Sequence, residues 1–363
     1  MFLQAITPEA LCVALPEVHA KEARRVVATI HRDEALTLRL GVRKTVLAAL
    51  ERHATQPTLA LQDTRHSSLD PFHKYVLETQ DHHLVETVRI PLEKAGRYSV
   101  CVSSQVGCAM ACAFCATGRL GLTRNLEAWE IVEQVRVVRR SLATMIGARV
   151  HGVVFQGMGE PMANIDNVLQ AIGVLSHPCA QAIDARCITV CTSGHPLGIT
   201  RLAQHAPKVR LGLSLGSARP AVRRAIMPLD RVHPLDTVME AAAFHVEATG
   251  LAPMWAVTLL AGVNDTTQDA VALAELAKAF HARTGKWPMV SVIPYNRIGD
   301  DASDPFRRTS DEAEKNFRDV LAARSVFTRK RYSGGHDVDA ACGQLASRGA
   351  STPQGRGLLA TVP

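Results

Sequence analysis

Aromatic side chains are scarce in this 363-residue chain, with Trp 3, Tyr 4 and Phe 9 making up 4%. That scarcity argues against a flat aromatic sheet on which nucleobases stack, because such platforms need several exposed rings. Long apolar runs are also missing. None approaches the roughly 18 residues that cross a bilayer, so no membrane span is expected. The opening residues, MFLQAITPEALCVALPEVHAKEARR, lack the basic start of a secretory signal, and a cytoplasmic location is expected. In that reducing setting the nine cysteines read as metal ligands, reactive thiols or core residues rather than a disulfide framework. An excess of acid is absent too: the formal charge is +7. A basic balance suits a polyanionic partner, and it is equally common among ordinary enzymes.

Along the chain, residues 1–66 read as a helical module. Val26, Val27 and Ile30, then Val42, Val46, Leu47 and Leu50, recur at helical spacing, with Arg24, Arg25, Arg32, Arg39, Arg43 and Lys44 between them. A solvated basic face and an RNA-docking module both account for that pattern. Residues 67–96 predict a β-hairpin extension, with strands at 74–79 and 84–90 around the turn Gln80-Asp81-His82-His83. From 97 to 345, strand-like and helix-like segments alternate. Apolar, β-branched runs lie at 98–102, 150–155, 188–191, 209–213, 254–260 and 289–293. Helical patterns cover 127–142, 166–175, 266–281 and 310–324, the last opened by Thr309 and Glu312 as a capping box. Six such strands imply an α/β fold, a partial (β/α)6 barrel with right-handed crossovers and its working groups at the carboxyl ends of the strands. The tail, 346–363, is small, polar and Gly/Pro-rich and reads as disordered.

The densest chemical signal is Cys108-Ala-Met-Ala-Cys112-Ala-Phe-Cys115, a CxxxCxxC run just after the first barrel strand. Three thiolates on one short loop suit a [4Fe–4S] cluster whose fourth iron keeps an exchangeable ligand. A structural zinc site needs a fourth protein ligand, which the run does not supply. Three unrelated core cysteines are the remaining reading.

The surrounding residues are more specific. Val100-Cys101-Val102-Ser103-Ser104-Gln105-Val106-Gly107-Cys108 precedes Ala116-Thr117-Gly118 and Arg124-Asn125-Leu126. Gly157-Met158-Gly159-Glu160-Pro161 follows the second strand, and Ala340-Ala341-Cys342-Gly343-Gln344-Leu345 lies near the end. Together these resemble the RlmN/Cfr family of radical S-adenosylmethionine (SAM) RNA adenine methyltransferases, over about residues 67 to 346.

The resemblance implies a [4Fe–4S] cluster on Cys108, Cys112 and Cys115, with SAM as cofactor and methyl source. It implies methylation of an adenine, at C2 in 23S rRNA and also in tRNA, with the C8-methylating branch as an alternative. Carbon 2 of adenine is electron-poor and cannot attack a methyl group, so a carbon radical must add to it, and the cofactor carries that step. By the resemblance, Cys342 carries the methyl group, Cys101 resolves the protein–RNA adduct by forming a disulfide, and Glu86 accepts the proton. Without it, Cys342 and Cys101 read as buried core residues and Glu86 as an exposed strand residue. SAM contacts carried over are Gly159, Glu160, Cys191, Ser214, Leu215, Gly216 and Asn296. Two depart from the family's pattern: Cys191 stands where serine is usual and Gly216 where histidine is usual. The family also implies an external electron donor such as flavodoxin or ferredoxin, and a monomer. Competing readings are a radical SAM enzyme acting on a protein or small molecule, and a zinc-bound RNA-binding module. Cys12, Cys179 and Cys187 read as structural. Arg136, Arg139, Arg140, Arg223, Arg224, Lys330 and Arg331 are candidates for phosphate contact.

Overall fold

The structure, a computed structural model, describes residues 1–298 and 304–346; the expected disordered tail lies outside the described residues apart from Ala346. The strands are β1 (Ala60–His66), β2 (His73–Glu78), β3 (Leu84–Pro91), β4 (Arg97–Val102), β5 (Gln105–Cys108), β6 (Gly121–Asn125), β7 (Arg149–Phe155), β8 (Ile188–Thr192), β9 (Arg210–Ser214), β10 (Met254–Leu259), β11 (Met289–Pro294) and β12 (Thr328–Lys330). The helices are α1 (Pro8–Ala14), α2 (Ala20–His31), α3 (Lys44–His53), α4 (Ala128–Leu142), α5 (Ile165–Ser176), α6 (Pro196–His205), α7 (Pro220–Ile226), α8 (Leu235–Thr249), α9 (Thr267–Thr284) and α10 (Asp311–Ala322).

One sheet runs β1-β2-β3-β4-β7-β8-β9-β10-β11-β12, and β5 and β6 pair separately. The six apolar runs expected as strands all fall in its parallel portion. The short β12 adds a further parallel strand, pairing Val290 with Thr328 and Val292 with Lys330. Residues this apolar on successive positions are buried on both faces, and helices cover them. Val100, Val153, Ile188, Leu211, Trp255 and Val292 lie in one core with Trp129, Val132, Leu202 and Ala242 from the helices.

Three sequence expectations are corrected. Residues 60–66 are a strand, not the end of the helical module. Polar and mostly exposed, β1 is held by antiparallel pairing to β2 across a bulge between Leu61 and Asp63, a long-range cause invisible to local pattern. The cap of α10 is Ser310, whose hydroxyl accepts from Ala313 N–H; the Thr309 hydroxyl instead donates to Asp265. Arg136 and Arg223 are buried. Arg136 pairs with Glu133 at 3.0 Å and with Asp33, and Arg223 pairs with Asp230 at 3.1 Å, so neither faces solvent phosphate.

The N-terminal helices enclose a second core of Leu11, Val26, Val27, Ile30, Val46 and Leu50. Cys12 and Cys179 pack against it. Among the described residues, no helix is long and apolar enough to cross a membrane.

Candidate active site

A cavity opens at the carboxyl ends of the parallel strands, where the sequence places the expected working groups. Cys108, Cys112 and Cys115 all line it. Their loop leaves β5 and turns tightly. Ala111 takes a left-handed φ of 51°, and Cys115 N–H donates to the Cys112 carbonyl at 3.1 Å. At Gly118, an added Cβ would lie 2.9 Å from Cys112 N, so the loop packs too closely there for a larger residue. Burial pushes the Cys108 thiol up to about 12. Cys112 is raised well above its ordinary value, first by burial and then by Cys115 and Cys108.

Opposite the loop stands the segment after β7. Gly159 has φ 99°, and a Cβ there would meet Gln105 N at 2.7 Å, so only glycine fits. The Glu160 carboxylate accepts from Met162 N–H at 3.0 Å, and from Ser193 N–H and Ser193 hydroxyl at 2.8 Å each. It therefore pins the end of β8 while lining the cavity.

Cys191 and Ser214 line the cavity from β8 and β9, with Cys191 Sγ 3.8 Å from Gln156 Oε1. Gly216 lines it at φ 68°, and an added side chain would collide with Met227 Sδ. In that left-handed turn the histidine usual in the family would be strained and would displace Met227. Leu215 turns into the core, and its carbonyl accepts from Arg223. Asn296 is not among the cavity-lining residues; its Nδ2 donates to Ser333 Oγ at 2.8 Å and to the Cys342 carbonyl at 3.1 Å. It thus braces the loop that bears Cys342.

Cys342 lines the same cavity as the cluster thiols, although they are far apart in sequence. Ala116 N–H donates to the Gly343 carbonyl at 2.7 Å, joining the two loops directly. The hairpin extension clamps the Cys342 loop from the other side. Asp70 Oδ2 accepts from Tyr332 hydroxyl and Gly335 N–H, both at 2.9 Å, and Asp337 accepts from Ser67 hydroxyl at 2.7 Å. Lys74 donates to the Asp339 carbonyl at 3.1 Å.

Lys74 also pairs with Glu86 at 3.1 Å, both side chains 2% exposed. Glu86 is thus neither an exposed strand residue nor among the cavity-lining residues; its Oε2 accepts from Ala346 N–H at 3.0 Å. Cys101 lies on β4, beside a second cavity that Cys342 also lines. Burial pushes the Cys101 thiol up to about 12.

A family model described as the radical SAM superfamily matches residues 102–277. A "probable RNA methyltransferase" of Sorangium cellulosum is 56% identical over 92% of this chain and 90% of its own length. The chain belongs to the radical SAM RNA methyltransferases. A "probable dual-specificity RNA methyltransferase RlmN" of Akkermansia muciniphila is 38% identical over 78% of this chain and 77% of its own. The crystal structure of a radical SAM methyltransferase from Sphaerobacter thermophilus superposes with a TM-score of 0.84, at 34% identity, covering 95% of this chain and 99% of that one.

Membership in the radical SAM methyltransferases brings a [4Fe–4S] cluster and SAM, and the residues fit both. Three thiols line the cavity and would hold three irons, while Glu160 is committed to hydrogen bonds, so the fourth iron would keep an exchangeable ligand. Among the described residues no group of three or more His, Cys, Asp or Glu closes to the spacing of a single-ion site. Gln156 and Thr258 line the cavity and escaped the sequence reading. Their signal was a polar residue at the carboxyl end of an otherwise apolar barrel strand.

Proposed function

We propose that this methyltransferase methylates carbon 2 of an adenine in RNA, 23S rRNA first and tRNA as a further substrate, with Cys342 as the methyl carrier. One observation carries the reading: Cys342 lines both the cavity of the cluster thiols and the cavity beside Cys101. A residue that meets a methyl donor in one chamber and a base in the other belongs on their shared wall.

When bound, the cluster and SAM supply the electron and the carbon radical. The chain's own residues do the rest. Gly159 and Glu160 shape the wall that receives SAM. Cys342 forms an S–CH3 bond as the sulfonium C–S bond of its co-substrate breaks. Asn296, Lys74 and Asp70 hold the Cys342 loop in register. In the closing step Cys101 attacks the Cys342 sulfur. The S–S bond forms as the bond from the Cys342 sulfur to the methylene carbon, by then joined to C2, breaks; the electron pair passes to that carbon and the base, and a proton from solvent completes the methyl group. Glu86, anchored by Lys74, is assigned the proton from C2. The N-terminal helices, with exposed Arg24, Arg32 and Arg39, are assigned RNA docking. An external low-potential protein supplies electrons, and the chain acts as a monomer in the cytoplasm.

Nucleoside mass spectrometry of rRNA and tRNA from a deletion strain tests this. Loss of 2-methyladenosine is the expected result. Loss of 8-methyladenosine instead moves the reaction to the other carbon, and an unchanged profile removes RNA adenine as the substrate.

A further inference from the structure

The second cavity is walled by Phe72, Val88, Ile90, Cys101 and Arg331 and shares Gln156 and Cys342 with the first. Cys191 opens into the first cavity and Cys101 into the second, so three thiols surround the partition between them. Among the described residues lining the second cavity, Arg331 is the one charged side chain.

Arg331 follows β12, and its N–H donates to the Val292 carbonyl at 2.9 Å, which fixes the backbone. Its Nη1 is sealed from solvent and has no hydrogen-bond partner. Cys101 and Cys342 line the same cavity as Arg331, and Cys191 lies across the partition. No ion pair joins it to an acid among the described residues, in contrast to buried Arg136 and Arg223. Arg331 is half-buried, but its Nη1 is cut off from water and unpartnered, and a negative charge on a neighbouring sulfur would relieve that cost.

We propose that Arg331 is a positioning residue for the thiol chemistry, holding the negative charge of a cavity thiolate. It rests on the two-thiol reading above for its purpose. At Cys342 the thiolate forms the S–CH3 bond, its proton having left to solvent. At Cys101 the thiolate forms the S–S bond. Arg331 itself makes and breaks no bond in either step. Burial pushes Cys101 and Cys191 each up to about 12, and the Arg331 charge opposes that rise in both. Besides the cluster thiols, the other titratable groups facing the partition are Glu160, Tyr295 and Tyr332. Glu160 is occupied by its hydrogen bonds, Tyr295 hydroxyl donates to Asp304, and Tyr332 hydroxyl donates to Asp70.

The test is anaerobic pulse labelling of the cluster-loaded protein with iodoacetamide across pH 6.5 to 9.5, read cysteine by cysteine by peptide mass spectrometry. Cys342 peptides that already carry a methyl group are counted separately. In Arg331→Gln, labelling of Cys101, Cys191 and free Cys342 at pH 7.5 should fall about ten-fold, with the profile displaced to higher pH. Cys12, packed in the N-terminal core, should label as in the wild type. Arg331→Lys, which keeps the charge, should restore the wild-type profile. A wild-type profile in Arg331→Gln overturns the proposal. So does a profile displaced equally in Arg331→Lys, which marks a packing role. If Arg331→Gln does not fold, Arg331→Lys decides alone: the wild-type profile supports the proposal and a displaced one overturns it. Labelling needs no methyl transfer. A Cys342 that never carries a methyl group in the cell would sink the methyl-carrier reading while leaving this result standing.

Discussion

At the carboxyl ends of the parallel strands, Cys108, Cys112, Cys115 and Cys191 face one cavity with Glu160 and Cys342. At the amino ends the chain offers similar chemistry, with Cys187 Sγ 3.7 Å from His151 Nε2 and Arg139, Arg140 and Arg149 around an open groove. The groups there are largely spent on structure. Arg140 pairs with Glu133 at 2.6 Å, Arg139 donates to Gln181 at 2.7 Å, and Cys187 packs against the core. Cys187 immediately precedes β8 and Cys191 lies near its carboxyl end, so position along the strand, not residue type, separates the two. The loops at the carboxyl ends converge from many strands and bring unpartnered groups together. The amino ends turn back to the helices and pair their charges off.

The sharpest way to break that comparison is to remove one thiol from each end. Cys112→Ala should abolish iron and sulfide loading and lower RNA methylation by about a thousand-fold or more, the scale expected when the chemistry itself is lost. Cys187→Ala should load normally by the same iron and sulfide analysis. Next in size is the buried ion pair beneath the Cys342 loop. Lys74→Met removes the ammonium that pairs with the buried Glu86 carboxylate, at a cost of about 3–5 kcal/mol, read by denaturant unfolding. A Lys74→Met/Glu86→Leu double variant should recover much of that stability. Glu160→Gln keeps the size and weakens the hydrogen bonds to Ser193, and SAM affinity measured by calorimetry should fall about ten-fold, or about 1.4 kcal/mol.

At neutral pH the effect that remains is silent, and it emerges only on acidification. Burial, helped by the Arg136 charge, lowers His31 to about 3, and burial lowers His245 to about 4. Both are held neutral in the folded chain, and the unfolded chain binds the extra protons below about 6.5. Their contribution is therefore full above pH 6.5 and declines as pH falls toward 4. Each should cost up to about 1.4 kcal/mol per pH unit in that window. A His31→Gln variant should show a shallower loss between pH 6.5 and 5 in urea titrations.

The parts legible in the sequence were local ones. CxxxCxxC and GMGEP act through neighbouring backbone, and the β-branched runs report burial on both faces of a strand. The parts that escaped depend on distant partners. Lys74 meets Glu86 only because β2 and β3 pair Val76 with Glu86. Arg331 reaches the thiols because β12 adds to β11, a three-residue strand too short to show a pattern. By charge alone Arg331 reads as a phosphate contact, whereas it lines a largely apolar cavity with Cys101 and Cys342. Gly216, read as a departure from the family, suits a left-handed turn with Met227 packed behind it.

The central claim is that Cys342 carries a methyl group between two chambers. Mass spectrometry of the peptide containing Cys342, taken from protein purified without any added reagent, tests it most directly. The account predicts a peptide heavier by one methylene group, with the added carbon on sulfur, and an unmodified peptide from the Cys112→Ala protein. An unmodified Cys342 in active, cluster-loaded protein would contradict it.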